Sequence, residues 1–160
     1  MLPYVTRFAA EDRERVFLFL ASFSRWECAL KHNGFARAGI HGQAEPDWTA
    51  FAIAHEAQVA AVNDASFVAA RNALLAAPPR RQELVGGQLQ WRPNPRRATE
   101  TDAAYLFRVI KDVRNNLFHG GKFAEGPAPD LERDRELIDH ATAILERASD
   151  LHMGVKAILD

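Results

Sequence analysis

The sequence predicts an all-α bundle of about five helices, with one small β-hairpin inserted near residues 82–91. Three observations predict it. Apolar residues recur at helical spacing through most of the chain, in stretches that open on a capping residue and close on Gly or Pro. One segment, Leu84-Val85-Gly86-Gly87-Gln88-Leu89, breaks that period and has the form of a two-residue hairpin turn. The composition, 48% hydrophobic and 26% charged over 160 residues, is that of one globular domain, 1–160, able to bury a proper core.

Residues 1–9 read as an extended arm, followed by a long helix from about Ala10 to Asn33. Val16, Leu20, Phe23 and Leu30 recur at spacings of 4, 3 and 7, and Phe17 and Ala21 widen the stripe. Glu11 and Asp12 suit the positive start of this helix, Lys31 and His32 suit its end, and Gly34 supplies a left-handed stop. Glu27 falls in line with Phe23 and Leu30, where a carboxylate has to be paired. It either pairs locally with Arg25 or Lys31 or reaches solvent at the flank, or it orients a functional Arg or His elsewhere.

Residues 35–47 carry Gly, Pro and short polar groups and read as a loop. Asp47 can cap a second helix through residues 48–63. Within it His55-Glu56 begins a zinc-type HExxH pattern, but Val59 stands where the second imidazole belongs, so that reading fails. Asp64 can cap a third helix, which stops before Pro78-Pro79. In the hairpin that follows, Leu84 should face Leu89 and Gln82 should face Trp91. Arg80, Arg81, Arg92, Arg96 and Arg97 cluster around it, opposed nearby only by Glu83. Such a hairpin can hold a phosphate backbone and stack Trp91 on a base, or it can be a solvated linker whose Trp caps the core.

A fourth helix runs from about Thr101 to His119, capped by Thr99 or Thr101, with Leu106, Val109, Ile110, Val113 and Leu117 as its core stripe. Gly120-Gly121 ends it, residues 122–129 form a loop, and Asp130 can cap a last helix reaching Leu159. Leu137, Ala141, Ile144, Ala148, Leu151, Val155 and Ile158 alternate spacings of 4 and 3, a seam for a bundle or a helix-mediated dimer. Gly154 should weaken its final turns.

No apolar run approaches the roughly 20 residues that cross a bilayer, so no membrane association is expected. The first residues lack the basic and apolar regions of a secretory signal. The lone Cys28 fits a reducing cytoplasm. A net charge of −1 removes any bulk attraction for nucleic acid, which leaves only local patches to bind it.

The densest chemistry lies in Arg114-Asn115-Asn116-Leu117-Phe118-His119-Gly120-Gly121-Lys122. On an ideal helix Arg114 and His119 stand about 140° apart, so they converge only if the helix end distorts or if two copies meet across a two-fold axis. Asn115 and Asn116 lie beneath His119 at spacings of 4 and 3. His119 sits at the negative end of the helix dipole, which favours an imidazolium able to protonate a leaving group, and Arg114 offers a fork for phosphate oxygens. These are the parts for metal-independent RNA cleavage, with no metal or other cofactor required. They are equally the parts for capping a helix C-terminus.

Arg114-Asn115 followed by His119, in the wording RNNLFHGGK at the end of an apolar helix, resembles the R-x(4–6)-H signature of the HEPN superfamily. The opening helix, with FLASFSRWECALKHNGF, is similar less specifically to a bacterial branch of it. The motif match covers about residues 105–122. The resemblance implies a helical bundle, commonly a homodimer whose motif helices share a cleft, and in many members a ribonuclease of toxin–antitoxin, abortive-infection or CRISPR-linked defence. By position, Arg114 and His119 would be catalytic and Asn115 their polar support. Asn116 and Lys122 lie outside the signature and are expected, with Arg80, Arg81 and Trp91, to contact substrate. The implied partners are a second copy, RNA such as tRNA or mRNA, and a cognate antitoxin protein. Other members are non-catalytic modules for dimerisation or for protein or nucleotide binding, and that alternative stands beside the enzyme.

Overall fold

The computed structural model describes residues 9–118 and 130–160. His119 and Lys122 lie outside the described residues. Among the described residues the chain is mostly helical: α1 (Ala10–His32), α2 (Trp48–Ala54), α3 (Glu56–Ala61), α4 (Ala65–Ala76), α5 (Asp102–Phe118), α6 (Leu131–Ala148) and α7 (Met153–Leu159). Two antiparallel hairpins interrupt them, β1 (Ala36–Ala38) with β2 (Ala44–Pro46), and β3 (Arg81–Val85) with β4 (Gln88–Arg92). No described helix is long and apolar enough to cross a membrane.

The expected caps are in place. Asp47, Asp64 and Asp130 accept hydrogen bonds from the N–H groups of Ala50, Phe67 and Arg133, and Thr101 Oγ1 accepts from Ala104. Gly34, at φ +85°, ends α1. The Asp64 carboxyl is pulled down to about 2, first by the Ser66 hydroxyl and then by the Phe67 N–H and Arg147.

Two expected helices are broken, which turns about five into seven. The second helix bends at His55, whose backbone leaves helical values at φ −117° and ψ 17°. Its Nδ1 lies 2.8 Å from the Phe51 carbonyl oxygen, and its ring packs among Phe35, Phe51 and His152. That aromatic attraction is tertiary and leaves no periodic trace. The last helix breaks at a 3-10 turn, Ser149–Leu151, and at extended His152, whose Nδ1 accepts from Val155 N–H to start α7. The break returns α7 onto α1, where Arg25 donates to the Ile158 carbonyl. A Cβ at Gly154 would sit 2.0 Å from Asn33 Oδ1, so the Asn33 side chain would have to shift to admit one.

The segment read as a loop at 35–47 forms the β1–β2 hairpin instead, closed by Gly42 at φ +78° and by an Arg37–Glu45 pair. Strands of three residues are too short to show alternation. The all-α reading is corrected accordingly. The second hairpin follows its expected register, with Leu84 facing Leu89 and Gln82 facing Trp91, across Gly86 and Gly87 at φ +58° and +80°.

The core is aromatic. Phe19, Phe23 and Trp26 of α1, Trp48 and Phe51 of α2, Phe67 of α4 and Phe107 of α5 are all buried. Trp48 stacks on Phe23 and Trp26 with centroids 5.0 and 5.7 Å apart, and Phe51 meets Trp26 and Phe107 edge-on. These large rings claim the inner face of α1, so its stripe runs through Phe19, Phe23, Trp26 and Leu30, while Phe17 stays 68% exposed. On α5 the expected residues Leu106, Val109, Ile110 and Val113 are buried. In the seam of the last helix Leu137, Ala141, Ile144, Ala148 and Val155 are buried within this chain, and Leu151 and Ile158 are half-buried.

Phe51→Ala should destabilise the protein by about 3–5 kcal/mol, because the ring touches several elements that cannot collapse together into its space. Urea denaturation followed by tryptophan fluorescence checks this.

Candidate functional site

α5 turns two chemically different sides to the protein. Its apolar side enters the aromatic core, and its polar side meets the segment that carries the β3–β4 hairpin. Arg108 is the centre of the polar contact: its Nε and Nη2 donate to Glu100 at 2.6 and 2.9 Å, and Nη2 also reaches the Pro95 carbonyl at 3.0 Å. Arg108 Nη1 donates to Asn94 Oδ1, Asn94 Nδ2 donates to Asp112 at 2.8 Å, and the Tyr105 hydroxyl donates to the Asn94 carbonyl at 2.8 Å. The guanidinium also lies 4.9 Å from the centroid of the Tyr105 ring. Side chains only 15% and 9% exposed make Arg108–Glu100 a nearly dry pair, and its many hydrogen bonds offset its desolvation. The Arg108 hydrogen bond holds the Glu100 carboxyl below the usual range against the opposing effect of burial. Burial pushes the Tyr105 hydroxyl up.

Two turns further along the same face, Asn116 Nδ2 donates to the Arg80 backbone carbonyl at 2.8 Å. The base of the hairpin is thereby tied to the last described turn of α5, and β3 lies against that helix. Arg80 is exposed at this junction. Arg81 is paired with Glu83 at 2.6 Å, and Trp91 is half-buried opposite Gln82. Of the hairpin residues expected to contact substrate, Arg80 is therefore brought to the motif helix, whereas Arg81 is engaged within its own strand.

Arg114 and Asn115 are half-buried. The Arg114 guanidinium carbon lies 5.7 Å from the centroid of the Phe23 ring, and its Nη1 donates to Asn115 Oδ1 at 3.1 Å. A ring of the core thus sets the direction of the Arg, and the neighbouring carboxamide holds one edge of the fork. Glu27, one turn from Phe23 on α1, is half-buried and makes no hydrogen bond or ion pair with Arg114, Arg25 or Lys31 among the described residues. His55 and Glu56 serve the fold: the imidazole bonds at Phe51, and Glu56 Oε2 accepts from the Ala103 N–H at the start of α5.

The other side of the α5 terminus faces the start of α6. Shallow clefts there are lined by Pro79, Val113, Asn116 and Leu137, and by Asp12, Arg15, Leu117 and Arg135. Asp12 accepts from Arg135 at 2.6 and 2.8 Å and from Arg15 at 3.1 Å, which ties α1 to α6, and the Arg135 hydrogen bonds hold its carboxyl low.

Sequence reasoning passed over Asn94, Glu100, Tyr105, Arg108 and Asp112. The i, i+4 spacing of Arg108 and Asp112 on the polar face of α5 was the one available signal. Nothing in the local sequence points Asn94 at that face.

Arg108→Ala should cost about 3–5 kcal/mol by leaving Glu100 and Asn94 unpartnered, read as a lower urea midpoint. Because the folded Glu100 carboxyl titrates below its unfolded value, its contribution is complete above about pH 4.3 and is lost as pH falls through the folded value. Thermal melts between pH 7 and pH 3 should show wild type losing more stability than Glu100→Gln over that fall.

Comparison with protein-family models, with curated proteins and with solved structures gives no match to this chain.

Proposed function

We propose that this protein is a metal-independent endoribonuclease of HEPN type, a helical-bundle domain acting as a homodimer in the bacterial cytoplasm, in toxin–antitoxin control or phage defence. The observation that carries the reading is the concentration of phosphate-binding groups at one helix end: Arg114 oriented by Phe23 and Asn115, with Arg80 tied to the same turn through Asn116.

In this reading Arg114 binds the non-bridging oxygens of the scissile phosphate and stabilises the charge that builds there. The 2′-hydroxyl oxygen attacks phosphorus as its proton passes to a water molecule, the P–O5′ bond breaks, and the imidazolium of His119 gives its proton to the departing 5′ oxygen. The products are a 2′,3′-cyclic phosphate and a 5′-hydroxyl, so DNA is inert. Asn115 keeps Arg114 in place. Asn116 holds the hairpin base, and Arg80, Trp91 and Lys122 track the flanking strand. A cognate antitoxin protein would cover the same region.

A second reading is a non-catalytic module for dimerisation or for binding a protein or nucleotide. Its support is that Arg114 and Asn116 already serve intramolecular contacts.

Incubation with total RNA and tRNA in EDTA separates the two. The ribonuclease should cleave despite chelation and leave cyclic phosphate ends, and His119→Ala should slow it by about 10²–10⁴-fold. Arg114→Ala should abolish cleavage while melting close to wild type. Intact RNA with folded wild-type protein would favour the binding module.

A further inference from the structure

We infer that Lys111 and Asn115 form a second phosphate site on α5, which holds the backbone phosphate next to the one that Arg114 binds. The inference deepens the ribonuclease reading and rests on it for the identity of the strand.

Helical spacing puts the two residues together. Lys111 and Asn115 are one turn apart, at i and i+4, so their side chains are neighbours on the helix surface. Both are half-buried. Their side of α5 is neither the apolar one, with Leu106, Val109, Ile110 and Val113, nor the one joined to the hairpin segment through Arg108, Asp112 and Asn116. On an ideal helix Arg114 is displaced from Lys111 by about 60° and from Asn115 by about 100° around the axis. A strand lying across the helix end therefore meets the pair and Arg114 in succession.

The chemistry of the pair asks for an anion. Asn115 Oδ1 accepts from Arg114 Nη1 at 3.1 Å. A guanidinium has no acceptor, so this contact fixes the orientation of the amide and leaves Nδ2 as a donor. Among the described residues neither Asn115 Nδ2 nor the Lys111 ammonium has a hydrogen-bond or ion-pair partner. Arg108, one turn earlier, is instead answered by Glu100 and Asp112 at 2.6 and 3.6 Å. No acid along α5 does this for Lys111, because the positions three and four away from it are Phe107, Arg108, Arg114 and Asn115. Cations at i and i+3 repel, and a phosphate diester relieves that repulsion. It also brings two non-bridging oxygens, one for Lys111 Nζ and one for Asn115 Nδ2.

The probe for this site is a single-stranded RNA with 2′-O-methyl riboses, which has no hydroxyl left to attack and is bound without being cleaved. Lys111→Gln should weaken its binding about fivefold at 0.1 M salt and lower the slope of log K against log salt by about 0.7, the share of one contact on a single strand. Lys111→Met should do the same if Lys111→Gln folds poorly, and Lys111→Arg should restore the slope. Lys31→Ala, which removes an exposed charge eight residues beyond Phe23 on α1, should bind as wild type does. Circular dichroism melts should match wild type throughout, since Lys111 has no partner to lose. A wild-type slope in Lys111→Gln and Lys111→Met would overturn the inference, as would an equal loss in Lys31→Ala or a wild type that does not bind the probe. Cleavage of unmodified RNA, scored in parallel, separates the two readings. Active wild type with an unchanged slope in the Lys111 variants sinks the second site alone, whereas a Lys111-dependent slope without cleavage keeps the site and removes the enzyme.

Discussion

The packing of Trp48 and Phe51 between α1 and α5 is the contact on which the rest of the protein depends. Through it three helices share one block of rings, with Phe23 and Trp26 on one side and Phe107 on the other. Rings of this size bury far more apolar area than the aliphatic residues around them, so they set where each helix axis must lie. The exposed Phe17, the bend at His55 and the return of α7 are consequences of keeping those rings together. Trp48 even leaves its indole N–H without a partner, a local cost accepted within the described core.

The same cluster reaches the candidate site through Phe23, whose ring stacks on Trp48 in the core and also lies beneath the Arg114 guanidinium. Arg114 is therefore directed in part by packing on a core ring and in part by the Asn115 carboxamide. The helix end adds the negative pole of its dipole, which favours cations there.

On the opposite side of α5 the binding energy is polar. Arg108, Glu100, Asn94, Asp112 and Tyr105 satisfy one another in a nearly dry junction, and Asn116 extends the contact to Arg80. Such a network specifies geometry because a half-satisfied version is worse than none. It holds the base of the β3–β4 hairpin in one position, while the far end of the hairpin projects with its leucines uncovered.

Much of this was legible in the sequence because it is local. Asp47, Asp64, Thr101 and Asp130 cap the helices they precede, Gly86-Gly87 sets the hairpin register, and the period of Leu106, Val109, Ile110 and Val113 gives the buried side of α5. The motif residues Arg114, Asn115 and Asn116 were equally visible as a cluster. What they touch was not. That Arg114 lies on Phe23, 91 positions away, and Asn116 on Arg80, 36 away, depends on how helices with several compatible apolar faces pack together. The sequence by itself determined where helices begin, where the chain turns and which residues are chemically able. Only the tertiary structure decided which face of α1 goes inward, where two helices break and which arginine meets the motif, because long-range ring packing and buried hydrogen bonds outweigh local preference there.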